Sequence, residues 1–295
     1  MHNTAAIRIP FLIMKELISW WSHIPEHINP VFIKLGIIQV HYYGLMYLLA
    51  FLTVYLLVLY RLKTENIGFK KEVIVNYFTW LILAVLIGGR LGYVLFYNLF
   101  YYLKHPLEIF LPFDINNGFQ YTGLYGMSYH GALIATVIAS VVFCRKYKLN
   151  FWLLADLLVP AVPLGYTFGR LGNFINGELY GRVTTVPWGM YFPLDPMHRL
   201  RHPSQLYEML FEGVFIFVIL WSVRKKIRIP GGLFSLYLIG YGVIRLFLEF
   251  FRQPDQQLGF VVGYLTMGQI LCLIMAIGGL MLLIKQHKFN LDRRL

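Results

Sequence analysis

FWLLADLLVPAVPLGYTFGRLGNFINGELYGR occupies residues 151 to 182. Its first eighteen residues are an apolar run interrupted by Asp156, Pro160 and Pro163. Its last fourteen hold two arginines, two asparagines, one glutamate and four glycines. The run is near the roughly 20 residues that carry a helix across a hydrocarbon core. Its prolines predict a kink, because each removes a backbone donor. Interrupted helices survive in a bilayer where protein or a wet cavity satisfies the freed backbone groups. The stretch therefore predicts a bent membrane helix that ends in a polar, turn-rich patch.

The rest of the chain reads the same way. It has 295 residues, 58% hydrophobic and 14% charged, with a mean hydropathy of +0.61. Soluble domains average roughly 25% charged and 45–50% apolar. Further apolar segments lie at 42–60, 78–98, 124–144, 205–223, 232–250 and 263–284. Their continuous apolarity argues against a β-barrel, whose strands alternate. The expected fold class is an all-α polytopic membrane protein of about seven transmembrane helices, a single integral membrane domain over residues 1–295.

Net charge is +12, and its placement predicts orientation. Arg61, Lys63, Lys70 and Lys71 fall in one loop, and Arg145, Lys146 and Lys148 in another. Arg224, Lys225, Lys226 and Arg228 follow in a third, and the tail adds Lys285, Lys288, Arg293 and Arg294. With seven spans these all lie on one side, which the positive-inside rule assigns to the cytoplasm. The C-terminus is then cytoplasmic and the N-terminus external. So are an interfacial arm over 1–41, in which Lys15, Glu16, Trp20 and Trp21 suit the membrane surface, and loops at 99–123, 169–204 and 251–262. Basic loops that serve insertion and contact anionic lipid heads give no reason to expect nucleic acid. Cys144 and Cys272 lack a CxxC spacing and predict neither a disulfide nor a zinc site. No cleavable signal peptide is expected at the N-terminus.

Arginine at membrane depth costs about 2.5–3.5 kcal/mol on insertion scales, so each one needs a partner. Arg90, Arg170, Arg245 and Arg252 all project to the outer half of the bilayer, beside His130, Glu178 and Glu249. One alone is explained by snorkelling, which suits Arg252 at the rim. Four at one level point to a shared polar cavity. Tyr241, Arg245 and Glu249 follow at intervals of four and form one polar stripe on a helix face. Glu249 is either a site residue or the plain salt-bridge partner of Arg245. His130, in GMSYHGAL, is either a packing residue or a group able to move a proton near neutral pH. In the opening stretch, glycines including Gly181 permit tight turning. Arg170 and Arg182 offer planar forks suited to phosphate. Asn173 and Asn176 supply neutral donors and acceptors, and Glu178 can hold an arginine in place. By chemistry this is an anion-binding turn, and the anion at hand is a phospholipid head group. The tetrapeptide GRLG also occurs at 89–92, a faint echo of an internal repeat.

These residues carry a resemblance. GRLGNFINGELYGR is similar to the signature of the bacterial prolipoprotein diacylglyceryl transferases. HYYGLMYL, GGRLGYVLFYN, HPLEIF, GMSYHGAL, HPSQLYE and YGVIRLFLEFFRQPD resemble that family's other blocks, in its order, over roughly residues 23–284. His130-Gly131-Ala132 stands where the family commonly has HGG, and residues 1–22 look like an extension. The resemblance implies transfer of diacylglyceryl from phosphatidylglycerol to the lipobox cysteine in a prolipoprotein signal peptide, with release of glycerol-1-phosphate. It implies a bacterial cytoplasmic (inner) membrane protein with its site toward the outer leaflet, surrounded by membrane lipids. By that analogy Arg170 and Arg245 meet the phosphate, and Asn173 and Glu178 orient Arg170 and the turn. Gly181 and Glu249 contribute to binding, Tyr43 and Tyr241 line the pocket, and His130 is the candidate base. No cofactor is implied and the His/Cys/Asp spacing offers no metal-ligand set. Two other classes fit membrane-depth arginines: a lipid or anion transporter, and, more weakly, an intramembrane protease using Ser204 and His202. Covalent lipid on a lipobox peptide separates the transferase from both.

Overall fold

The computed structural model describes residues 4–36, 38–109, 113–114, 120–121, 126–253, 260–262 and 265–292. Parts of the expected 99–123 and 251–262 loops, and Arg293 and Arg294, lie outside them. In chain order the elements are α1 (Thr4–His27), β1 (Val31–Leu35), β2 (Ile38–His41), α2 (Tyr42–Thr64), α3 (Lys71–Tyr97), α4 (Leu99–Lys104), a 3₁₀ turn (Pro106–Ile109), β3 (Phe113–Asp114), β4 (Gln120–Tyr121), α5 (Tyr129–Lys146), α6 (Phe151–Leu158) and α7 (Val162–Ile175). There follow α8 (Ser204–Glu208), a π-helical stretch (Met209–Phe215), α9 (Ile216–Val223), α10 (Gly232–Leu248), β5 (Phe260–Val262), β6 (Leu265–Thr266) and α11 (Met267–Asp292). Among the described residues the strands pair only as two-residue to five-residue antiparallel hairpins, and the described structure is mostly helical.

Each of the seven apolar segments coincides with a helix or a broken helix. Among the described residues, four helices are long and apolar enough to cross a membrane: Tyr42–Thr64, Lys71–Tyr97, Ser204–Val223 and Met267–Lys288. The pair α6 and α7, bent by 53°, makes a fifth if counted as one span. Among the remainder, α10 is apolar but shorter. Leucines such as Leu48, Leu83 and Leu280 are about half exposed on these helices, as side chains facing lipid must be.

The chain divides into two compact units, Met1–Arg61 with Ala155–Leu295, and Leu62–Leu154. The smaller unit is built on α3 against α5. Gly88 and Gly92 meet Gly131, and a Cβ at Gly92 would come within 2.5 Å of the Gly131 Cα. Small residues let two backbones touch where no hydrophobic force separates protein from lipid. Gly131 is buried in this contact while Ala132 is half-buried. Packing therefore demands the first of the two positions after His130, which is the one this chain keeps as glycine. Ser128 caps α5 by accepting from the Gly131 amide at 3.2 Å, and Tyr77 and Ser140 share a buried hydroxyl contact at 2.7 Å.

In the larger unit the expected kink has a specific physical repair. Pro160 has no N–H to give to the carbonyl four residues back, which is that of Asp156. The Ala161 amide turns instead to Leu158 O at 2.9 Å, which strands the Leu157 carbonyl. Arg61 of α2, only 3% exposed, donates through Nη1 to both: 2.7 Å to Asp156 O and 2.6 Å to Leu157 O. Arg61 was expected among the cytoplasmic loop charges, yet it is buried and committed to backbone. The Asp156 carboxylate in turn accepts from the Gly231 and Phe234 amides at 2.7 and 2.8 Å. It caps α10 with a charge that the helix dipole favours. At the far end of α10, β6 leads into α11 through a reciprocal cap. The Gln269 amide donates to Thr266 Oγ1 at 3.2 Å and the Thr266 amide to Gln269 Oε1 at 3.0 Å, which satisfies two end donors at once.

Arg61→Leu keeps bulk and removes the donors, leaving two buried carbonyls unmet at about 1–3 kcal/mol each. Its melting midpoint in detergent is expected several degrees below that of the wild type; an unchanged midpoint would remove Arg61 from the repair of the kink.

Candidate active site

The site lies in the larger unit, where α7, the α8–π stretch and α10 bring their charged side chains together. Glu208 ends α8 and Glu212 sits within the π-helical stretch; they are 2% and 0% exposed. Bare carboxylates so deep need cations. Glu208 Oε2 lies 2.8 Å from Arg170 Nε. Glu208 Oε1 lies 2.8 Å from Arg245 Nη1 and 3.2 Å from Arg252 Nη1. Glu212 Oε1 is 3.3 Å from the same Arg245 Nη1. Glu249, the residue closing α10, places Oε2 3.2 Å from Arg245 Nη2, although not aligned as a hydrogen bond. Its Oε1 accepts from Thr266 Oγ1 at 3.3 Å.

The expected patch extends from this centre as a chain of amides. Arg170 donates through Nη1 to Asn173 Oδ1 at 3.1 Å. Asn173 Nδ2 donates to Glu178 Oε1 at 2.9 Å, and Asn176 Nδ2 reaches the same oxygen at 3.4 Å. Glu178 thus orients Arg170 through Asn173. The residues 169–175, expected as part of an external loop, are the last two turns of α7; the chain turns only afterwards, at Gly177 with φ +68°. Helix is possible there because Gly169 and Gly172 are interspersed with Leu and Phe at helical spacing, and because α7 packs on α2. The ring of Tyr43 lies beside Gly172, where a Cβ would come within 3.1 Å of it, and its hydroxyl meets that of Tyr47 at 3.0 Å. Tyr241 stands edge-on to Tyr166 with ring centres 6.0 Å apart.

The other candidates make contacts of their own. Gly181 is where three backbones converge: its amide donates to His202 O at 2.8 Å, and a Cβ would collide with Phe251 O. It holds the Arg252 segment in place rather than offering a side-chain contact. Arg252, expected to snorkel at the rim, turns inward to Glu208 because that carboxylate is already buried and shared. Arg182 gives its Nε to Arg252 O at 2.9 Å. Arg90 belongs to the smaller unit. There it donates to Glu108 O and Ile109 O at 2.6 Å each and lies 5.1 Å over the Tyr102 ring. His130 also belongs to that unit, exposed in the first turn of α5 with Tyr129 edge-on beside it. Ser204 Oγ donates to Leu179 O at 2.9 Å and His202 Nδ1 meets Tyr207 OH at 3.1 Å, so these two side chains are engaged elsewhere than with each other.

Glu208, Glu212 and Tyr166 were not singled out in the sequence. The signal was there: two carboxylates four apart inside a predicted span, which by cost alone mark a site. Among the described residues, the Nη2 group of Arg170 makes no hydrogen bond, and its side chain is 17% exposed. A guanidinium fixed at Nε and Nη1 with its remaining edge open is a directed anion donor.

Beyond the cluster, the 176–203 segment has its own ion pair. Asp195 accepts from Arg201 Nε at 2.7 Å and Nη2 at 2.8 Å, and from the Met197 and Arg199 amides. The bonded guanidinium, helped by those amides, holds the Asp195 carboxyl down at about 2 against an ordinary 3.8. The folded value lies below the unfolded one, so the stabilisation is complete above pH 4 and is lost as pH falls through about 2. It amounts to on the order of 2 kcal/mol. Asp195→Asn is expected to melt below the wild type at pH 7, with the gap narrowing as pH drops from 4 toward 2; a gap independent of pH would place its cause elsewhere.

The family model for prolipoprotein diacylglyceryl transferase matches residues 30–285. A protein of Chlorobaculum tepidum named phosphatidylglycerol–prolipoprotein diacylglyceryl transferase is 51% identical over 282 residues, 95% of this chain and 98% of that one. Proteins of the same name from Aliarcobacter butzleri and Campylobacter jejuni are 47% and 43% identical. They cover 88% and 92% of this chain, with 94% and 100% of their own lengths aligned. A match of this extent, enclosing every residue of the arginine–glutamate cluster, establishes that the chain belongs to the prolipoprotein diacylglyceryl transferase family.

Proposed function

We propose that this protein transfers the diacylglyceryl group of phosphatidylglycerol to the lipobox cysteine of a prolipoprotein signal peptide, the first step of lipoprotein modification. Family membership over residues 30–285 is the observation that carries this reading. The cluster supports it with a physical means. Cations fixed before reaction, aimed where negative charge will grow, are what lowers the barrier to phosphate departure.

In the reaction the cysteine thiol gives up its proton, and the thiolate sulfur attacks the glycerol carbon that bears the phosphodiester. An S–C bond forms as the C–O bond breaks, and the electron pair leaves on the phosphate oxygen of glycerol-1-phosphate. Arg170, through its open Nη2 edge, and Arg245 take that oxygen's charge. Asn173 and Glu178 keep Arg170 in register, and Glu249 steadies Arg245 from the other side. Tyr43 and Tyr241 line the head-group pocket, with Gly181 fixing the backbone beside it. A thiol near pKa 8.5 is mostly protonated at neutral pH, and His130 is the residue we assign as base.

We place the protein in the bacterial inner membrane as a single domain of seven spans. The N-terminus and the 1–41 arm are external, as are the 99–123 segment and the loop that follows α7 over 176–204, and the arginine–glutamate site faces the outer leaflet. The alternation of basic loops supports that orientation.

The test is a detergent assay with phosphatidylglycerol and a lipobox peptide, read by mass spectrometry for diacylglyceryl on the cysteine. Wild type is expected to form the adduct and Arg245→Ala to lose it by at least a hundredfold. Arg170→Lys, which keeps charge and loses the fork, should fall comparably. His130→Gln is expected to be inactive across pH 6–8, and sustained turnover there would exclude histidine as the base. A folded, lipid-loaded wild type that makes no adduct would defeat the transferase reading itself.

A further inference from the structure

Arg170 has a third anchor besides Glu208 and Asn173, and it leads away from the expected patch. One turn earlier on α7, the Tyr166 hydroxyl accepts from Arg170 Nε at 2.6 Å. The Tyr166 ring lies beneath the guanidinium, 4.8 Å from its centre. The same hydroxyl donates its own proton to Glu212 Oε2. Glu212 Oε1, as described, faces Arg245 Nη1 at 3.3 Å. One fully buried carboxylate is therefore divided between the two arginines: Arg245 directly, and Arg170 through a tyrosine.

The backbone is arranged to allow this. The stretch Met209–Phe215 is π-helical, a local widening that adds a residue to the turn and is found frequently at functional sites. Within it Gly213 presses on α7, where a Cβ would collide with Thr167 Oγ1 and lie 3.2 Å from the Thr167 Cα. Neighbouring positions on the two elements, 166 with 212 and 167 with 213, are thus in register. Glycine lets the helices approach until a tyrosine hydroxyl spans the gap.

We propose that Tyr166 and Glu212 are positioning residues that set the rotation of the Arg170 guanidinium, and with it the direction of the open Nη2 edge that meets the substrate phosphate. The proposal rests on the transferase reading for its substrate, but its core concerns the geometry of anion binding. Nε–H carries one proton, which is directed to the Tyr166 hydroxyl, while Glu208 Oε2 lies alongside as the counter-ion. Without the hydroxyl, Glu208 and the Nη1 bond to Asn173 retain the side chain, but the hydrogen bond that fixes Nε is gone and the plane of the guanidinium can tilt. Charge and stacking would be unchanged; only direction would be lost. Misdirection of a group that acts in the transition state lowers turnover more than substrate affinity.

Tyr166→Phe removes one oxygen and keeps the ring. In the adduct assay its kcat is expected to fall at least tenfold, with KM for the lipobox peptide within twofold of wild type and the melting midpoint close to it. Glu212→Gln supplies a second route, since it retains an acceptor for the hydroxyl but weakens the hold on both arginines. Because both act through one relay, the double variant should be no worse than the poorer single variant. Independent of turnover, glycerol phosphate binding to each protein in detergent would be measured by calorimetry, with Tyr166→Phe expected to bind at least fivefold more weakly. Fold-losses that multiply in the double variant, Tyr166→Phe turnover within twofold of wild type, or glycerol phosphate binding that is absent from wild type or unchanged by the substitution would each overturn the proposal. An inactive wild type that still binds glycerol phosphate in a Tyr166-dependent way would fail the transferase reading and leave this one standing.

Discussion

One carboxylate holds the site together. Glu208 gives one oxygen to Arg170 and the other to Arg245 and Arg252, so the ends of three chain segments are tied to a single buried atom pair. Removing one partner of such a buried group typically costs about 3–5 kcal/mol, because the others are left as uncompensated charges. The helices on which these residues ride are otherwise apolar, so the ion network adds direction to what close glycine contacts such as Gly213 against Thr167 already set. It explains why α7 stays helical through Ile175, why Arg252 faces inward, and why the backbone around Gly181 is drawn so tightly to His202 and Phe251.

A second set of polar contacts does for the helix ends what Glu208 does for the site. Arg61 and Asp156 act in relay: the arginine meets the carbonyls freed by Pro160, and the aspartate meets the amides that open α10. Both are charged residues spent on backbone, in a setting where water is not at hand to do it. The kink is thereby a fixed angle and not a point of weakness. That fixed angle delivers the end of α7, with Arg170 and Asn173, alongside the π-helical stretch.

Much of this was legible in the residues. Apolar runs located the helices long and apolar enough to cross a membrane, since lipid demands about twenty such residues whatever their order, but not α1 (Thr4–His27), whose residues were legible only as an interfacial arm. Asp156, Pro160 and Pro163 announced the bend. The Tyr241–Arg245–Glu249 stripe was readable from spacing alone, and the Arg170–Asn173–Glu178 chain from its density of polar groups. What sequence spacing could not show was which cation goes where. GRLG occurs twice, yet Arg90 serves backbone carbonyls while Arg170 joins the carboxylates. The difference lies in partners distant along the chain: Glu108 and Ile109 for one, Glu208 and Glu212 for the other. The π-helical stretch was equally hidden: no local pattern encodes it, and the close approach of Gly213 within it is to Thr167, distant along the chain. Helix ends were misjudged for a related reason: glycine and asparagine read as turn residues, and tertiary packing overrode that preference in α7.

Counted at formal charge, the three arginines and the three glutamates of the cluster cancel. A site of that kind projects almost no field beyond its own walls. It would not draw anions from a distance as a basic groove does, nor would added salt weaken its grip by much, since screening acts on charges that look outward. Recognition in such a place depends on contact and direction: a ligand is distinguished by whether its oxygens fit the few N–H bonds left without a partner in the cluster. A neutral lattice with one open edge also stays stable while empty, which a lone cluster of arginines inside an apolar bundle would not.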